Sequence, residues 1–177
     1  MQRVLIILLV SALSTTISFA QDKWTPTLAS VSFSIKNAGF TVEGNFKGFS
    51  GELLFGEDAL SRSQLSGSVQ VATIHTGIAK RDEHLKSSDY FDANKYKSIT
   101  LKSKTITKNK NGLSGVFDVT IKNITRQVEI PFNFNQTGNK AVFETNFSID
   151  RRDFGVGGNS IIMGDKVTIS IIVNASK

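Results

Sequence analysis

Leu113-Ser114-Gly115-Val116-Phe117-Asp118-Val119-Thr120-Ile121 is the stretch that decides the fold. Apart from Gly115, its odd-numbered positions carry large apolar side chains, and its even-numbered positions are mostly polar. Successive side chains of an extended strand point to opposite faces, so this segment has one apolar and one wet face. The period recurs in both directions from it. Val31, Phe33 and Ile35 alternate with Ser32, Ser34 and Lys36, and Phe40 and Val42 lead on to Gly44 and Phe46. Leu65, Gly67, Val69 and Val71 alternate with Ser66, Ser68 and Gln70. Towards the C-terminus follow Val128, Ile130, Phe132 and Phe134, then Ala141, Phe143, Phe147 and Ile149, then Val167, Ile169, Ile171 and Val173. Asn109-Lys110-Asn111-Gly112 and Thr137-Gly138-Asn139 supply the Asn and Gly of hairpin turns. Gly48 and Gly51 mark a bend or bulge in the long Phe40–Phe55 stretch. The expectation is an all-β chain of eight or nine antiparallel strands, wet on one side. With no helical layer to cover it, such a sheet closes, and an eight-stranded barrel has room inside for side chains or one small ligand.

Two segments break the pattern. Ile78 to Ser87 lacks alternation and is rich in helix formers, which predicts a short helix at a barrel end. It would link a strand ending near Thr73 to one starting near Ser98, anchored by Ile78, Leu85 and Tyr90-Phe91. At the N-terminus, Arg3 precedes an apolar run from Val4 to Val10, and Ser18-Phe19-Ala20 forms a small-x-small cleavage site. Residues 1–20 therefore read as a signal peptide, and residues 21–177 as one mature domain. The apolar run is shorter than the ~20 residues of a spanning helix, so no integral membrane span is expected after cleavage. The chain has no cysteine and hence no disulfide, which favours a bacterial periplasmic or secreted protein.

Composition narrows the function classes. Hydrophobic content is 40% and charged content 20%, within the range of an ordered domain. The net charge is +6, but Lys and Arg are scattered along the strands, and the densest group, Lys102-Lys104-Lys108-Lys110, reads as a solvated hairpin. A nucleic-acid partner is not expected. His75 and His84 are the 2 histidines, with Asp82 and Glu83 as their acidic neighbours, a poor set for a metal centre. No G-x-S-x-G elbow occurs, and Asp150, Asp153 and Asp165 fall at strand ends, where turn hydrogen bonding is their usual role. Asn123, Asn135, Asn146 and Asn174 head sequons that are accidents of an Asn- and Thr-rich surface. No catalytic residue, metal or cofactor is expected. Phe is the conspicuous residue, at 13 against 2 Tyr and 1 Trp. Inward parity collects Phe33, Ile35, Asn37, Phe40, Val42, Phe46, Val69, Val71, Phe117, Val119, Phe132, Phe134, Phe143 and Phe147. Phe needs no hydrogen-bond partner, so such a wall either encloses a dry pocket for an alkyl or prenyl chain or fills the barrel itself.

Several segments together resemble the YceI-like family of exported lipid-binding proteins. They are Val31 to Asn37; Val42-x-Gly44-x-Phe46-x-x-Phe49-x-Gly51; Thr76-Gly77 with Arg81-Asp82-Glu83-His84-Leu85; Asp89-Tyr90-Phe91-Asp92; Gly115 to Lys122; Arg152 to Val156; and Gly164-Asp165-x-Val167. The resemblance runs from about Trp24 to Val173. It implies a lipocalin-like antiparallel barrel with a long apolar pocket for a polyisoprenoid, an isoprenoid quinone or a similar amphiphile, held for transport, storage or sequestration. It implies no cofactor. The chain departs from the family where Asn37, Lys97 and Asn123 replace the frequent His, Pro and Gly. Asn37 can donate and accept hydrogen bonds but does not titrate near neutral pH. Arg81, Asp82 and His84 have two readings: contact with a polar head group at the pocket mouth, or a lock holding the helix to the barrel. An enzyme acting on a bound lipid, a stress-linked protein-interaction module and a homodimer remain alternatives.

Overall fold

The computed structural model describes residues 22–177, so the leader expected over residues 1–20 lies outside the described residues. Nine strands follow one another: β1 (Asp22–Asn37), β2 (Phe40–Phe46), β3 (Ser50–Phe55), β4 (Gln64–Gln70), β5 (Ser98–Asn109), β6 (Gly112–Ile121), β7 (Ile124–Thr137), β8 (Lys140–Asp150) and β9 (Met163–Ser176). Every neighbouring pair is antiparallel, and β1 also pairs with β9, which closes the sheet. β2 and β3 share one register against β1, with Val31 opposite Phe46 and Trp24 opposite Leu53. They occupy a single position in the wall, interrupted at residues 47–49, where Gly48 takes a φ of 67°. The result is the expected eight-stranded barrel, with its bend falling at Gly48.

Local chemistry explains the pairing. The hairpin after β5 is fixed by Asn109, whose Oδ1 accepts from the Asn111 N–H at 2.8 Å. On the inner face Gly44 lies opposite Phe33, and a Cβ at Gly44 would fall on the Phe33 ring. The missing side chain is what lets that ring lie across β2.

The two ends of the barrel differ. Where β1 begins, Trp24, Phe55, Phe132, Phe134 and Phe143 pack edge-on or tilted, with ring centroids 4.7 Å apart for Phe55 and Phe134 and 5.6 Å for Trp24 and Phe134. The Trp24 indole N–H donates to the Phe55 carbonyl at 3.1 Å, so the plug carries no unpaired polar group from this ring. At the opposite end the wall is completed by irregular chain. β4 stops at Gln70, a 3-10 turn spans Val71–Thr73, and His75 bridges to Asn45 through reciprocal backbone hydrogen bonds of 2.9 and 3.0 Å. Helix α1 (Ala79–Lys86) follows, inside the predicted Ile78–Ser87 segment.

Candidate ligand-binding cavity

Beyond the aromatic plug the barrel is hollow. A cavity of about 340 Å³ runs from Phe132 and Phe143 to the end covered by α1, within the ~300–1,000 Å³ typical of small-molecule sites. Phe117, Val119, Ile130 and Phe132 are buried in its wall, whereas Phe33, Ile35, Phe46, Val167, Ile169 and Ile171 are only half-buried. Apolar side chains left half-uncovered on the inside of a closed wall bound an unfilled space, since a packed interior would cover them with one another.

The structure brings together Phe33, Ile35, Asn37, Val42, Phe46, Val69, Phe117, Val119, Phe132, Phe143 and Phe147 around this cavity, with Arg81 and His84 at one end. It places four others elsewhere. Phe40 is 77% exposed at the start of β2, beyond the point where the barrel wall ends. Val71 is buried in the 3-10 turn, because the strand stops one residue before it. Phe134 belongs to the plug beneath the cavity, against Trp24, Phe55 and Phe143. Asp82 turns away from the cavity into the joint between α1 and the preceding loop.

That joint divides the Arg81-Asp82-x-His84 block by role. The buried Asp82 carboxylate accepts from the Thr76 hydroxyl at 2.5 Å, the Thr76 N–H at 2.8 Å and His75 Nδ1 at 3.1 Å. The Thr76 hydroxyl holds this carboxyl below its ordinary value, against the opposing effect of burial, and the Thr76 N–H and His75 add to the lowering. Arg81 donates from Nε to the Thr76 hydroxyl and from Nη2 to the Thr76 carbonyl, both at 2.7 Å. Its side chain is thereby fixed beside the cavity, with Nη1 lacking an acceptor among the described residues. His84 borders the cavity with its ring edge-on to Tyr90 at 4.8 Å. The geometry divides the block: Asp82 ties the helix to the preceding loop, His84 borders the cavity, and Arg81 does both. Asn37 adds a further polar side chain to the cavity wall. It lies just past a β-bulge between Ile35 and Asn37, and its Oδ1 is buried without a hydrogen-bond partner among the described residues.

Residues absent from the sequence-based set also line the space. Val167, Ile169 and Ile171 do so from β9, and their alternation already carried that signal. Leu85, Tyr90 and Phe91 enter from the α1 segment, where Phe91 meets Phe46 at 5.8 Å. Arg151 carried no readable signal. It is 3% exposed and holds the chain from residue 151 to 165 in a tight loop. Its guanidinium donates to the carbonyls of Val156 (2.8 Å), Gly158 (2.6 Å), Gly164 (3.0 Å) and Met163 (3.4 Å), and to Asp165 at 2.9 Å. Asp165 also pairs with Arg152 at 3.0 Å, so its role is ionic, whereas Asp150 caps the 3-10 turn through the Arg152 N–H as expected of a turn carboxylate. Among the described residues no group of three or more His, Cys, Asp or Glu side chains could hold a metal ion.

The model of the YceI-like domain matches residues 23–175. A UPF0312 protein of Vibrio campbellii is 32% identical over 113 residues, which cover 63% of this chain and 60% of that one, so the match spans less than two thirds of the relative's length. Among solved structures, BcnA of Burkholderia cenocepacia superposes with a TM-score of 0.79 at 26% identity, covering 84% of this chain and 96% of the other. A polyisoprenoid binding domain from Saccharophagus degradans, implicated in plant cell wall breakdown, shares the fold with a TM-score of 0.67 at 11% identity, covering 87% and 97%.

Proposed function

Given that the chain belongs to the YceI-like family, we propose that it is an exported binding protein holding the chain of a long amphiphilic lipid inside the barrel. The observation that carries this reading is the cavity of about 340 Å³, lined mainly by apolar side chains, with Arg81, His84 and Asn37 among its polar lining residues. An amphiphile has the same polarity: a long apolar chain with one polar terminus. Burying about ten methylene equivalents contributes roughly 8 kcal/mol before the costs of association, enough for useful affinity without a specific polar contact. The half-buried Phe33, Ile35, Ile169 and Ile171 are the surfaces such a chain would cover. A polyisoprenoid or isoprenoid quinone fits this description, and the shared fold with a polyisoprenoid binding domain supports it.

The role follows from the same features. Binding for transport, storage or sequestration is the activity proposed, in the periplasm or outside the cell after removal of residues 1–20. The test is native mass spectrometry of the purified protein after exposure to prenols, quinones and fatty acids. One lipid per chain, with a preference for long prenyl chains, is expected. A protein that stays empty with every class overturns the proposal.

A further inference from the structure

The cavity opens beside an exposed apolar rim that the fold itself does not use. Asn37, on the cavity wall, pairs with Phe40 on one side and Met163 on the other. The next residue, Ala38, donates its N–H to the Ile162 carbonyl at 2.7 Å, so the β1–β2 turn and the loop before β9 are tied together at the mouth. The side chains those two tips display are Phe40, 77% exposed, Ile161, 105%, and Ile162, 64%. Scattered single apolar residues on a surface need no explanation, but a group on adjoining tips beside a binding cavity does. The loop is built to stay there. Arg151 binds its backbone from inside, and Gly157, at a φ of 71°, passes where a Cβ would strike Tyr90 and Met163. Its N–H donates to the Asp89 carbonyl at 2.9 Å, which fixes the loop to the α1 side of the mouth as well.

We infer that this rim docks the protein onto an anionic lipid bilayer, with Phe40, Ile161 and Ile162 seated in the interface. Two features select a bilayer as the occupant. The rim adjoins the cavity, since Asn37, opposite Phe40, and Met163, next to Ile162, both line it, so a chain leaving the acyl region meets the inner wall close to the bilayer surface. The charge is complementary: the chain remains net positive after loss of Arg3 with residues 1–20, the exposed Lys36 and Lys166 lie close to the tips in the chain, and the adjacent Asp165 carboxylate is engaged by Arg151 and Arg152. Apolar insertion combined with basic flanks is the pairing of signals that gives surface binding without a membrane-spanning segment.

The inference rests on the lipid-carrier reading for its purpose, but its test is separate. The purified protein is floated with vesicles of phosphatidylethanolamine and phosphatidylglycerol, and with vesicles of phosphatidylcholine alone. The wild type is expected to float with the anionic vesicles and more weakly with the neutral ones. The Phe40→Ser, Ile161→Ser, Ile162→Ser triple variant is expected to float at least tenfold less, with unchanged circular dichroism. An Ile161→Trp variant gives a second readout that needs no stability argument: its emission should shift to the blue when anionic vesicles are added. A wild type that does not float, a triple variant that floats like the wild type, or an unshifted Ile161→Trp spectrum overturns the inference. So does a rim that proves to join two copies of the chain, seen as a dimer in sedimentation that the triple variant abolishes while the wild type ignores vesicles. Prenol loading from cyclodextrin, with no bilayer present, is measured in parallel, so failure of docking and failure of the carrier reading are distinguishable.

Discussion

At Asn37 the inner wall changes from apolar to polar. Its Oδ1 is buried with no partner among the described residues, and an unsatisfied buried acceptor costs about 1–3 kcal/mol. Replacing Asn37 with Leu should therefore raise the thermal midpoint of the ligand-free protein, and should weaken binding of a prenol more than that of a hydrocarbon of equal length. Scanning calorimetry and competition binding check both halves; equal weakening of the two ligands contradicts a head-group contact. Asp82 presents the opposite case, a polar side chain whose partners all come from the protein. Its carboxyl titrates below the ordinary value of 3.8, chiefly through the Thr76 hydroxyl. A lowered folded-state value means that the contribution is complete above the unfolded value and disappears as pH falls through the folded one. Asp82→Asn should thus be less stable than the wild type at neutral pH, and the gap should close below about pH 4 as the wild-type carboxyl protonates. Thermal midpoints across the acid range test this, and a gap that persists unchanged in acid contradicts it. Arg81, Asp82 and His84 were legible in the sequence as a unit. Their division of labour was not, because Thr76 and His75 reach Asp82 only when the loop has folded against β2.

Among the elements, the strands and their turns were the most readable part of the molecule. Alternation located the strands on both sides of Gly112, and the break from alternation located α1. What alternation cannot register is a shift of phase. The pairing of β5 with β6 slips between Ser103 and Thr105, so the inward side passes from Leu101 to Ile106. A similar slip between Ile35 and Asn37 re-aims the end of β1. The loop from Arg151 to Met163 was least legible, since it carries no periodic pattern and is shaped by one buried side chain. Arg151→Ala should remove several carbonyl contacts at once and destabilise the protein by roughly 3 kcal/mol or more. Urea unfolding gives the loss, and hydrogen exchange should show it concentrated in residues 156–164. A variant as stable as the wild type would contradict the structural role of Arg151.

Across the whole molecule, one sequence pattern produces two different interiors. Inward Phe residues fill the end where β1 starts, and the same parity leaves the other end open. Periodicity cannot tell these apart, because a ring facing inward has the same spacing whether it meets another ring or empty space. Trp24 decides it locally: set against Phe134 and Phe143 at 5.6 and 6.4 Å, it completes the plug. At the other end Phe33 and Phe147, which both pair with Ile169 across the wall, line the cavity instead. Barrel closure was foreseeable from one-sided strands without a covering layer. The cavity became visible only with the register, and that register makes it testable by occupying the space from within. The most direct measurement is a titration of the purified protein with a fluorescent prenyl chain, wild type beside Ile169→Trp. The wild type should take up one chain per molecule with a blue-shifted, saturating signal, and Ile169→Trp should fold with stability within about 1 kcal/mol of wild type yet take up none. Equal uptake by both proteins, or none by the wild type, would contradict a lipid held inside the barrel.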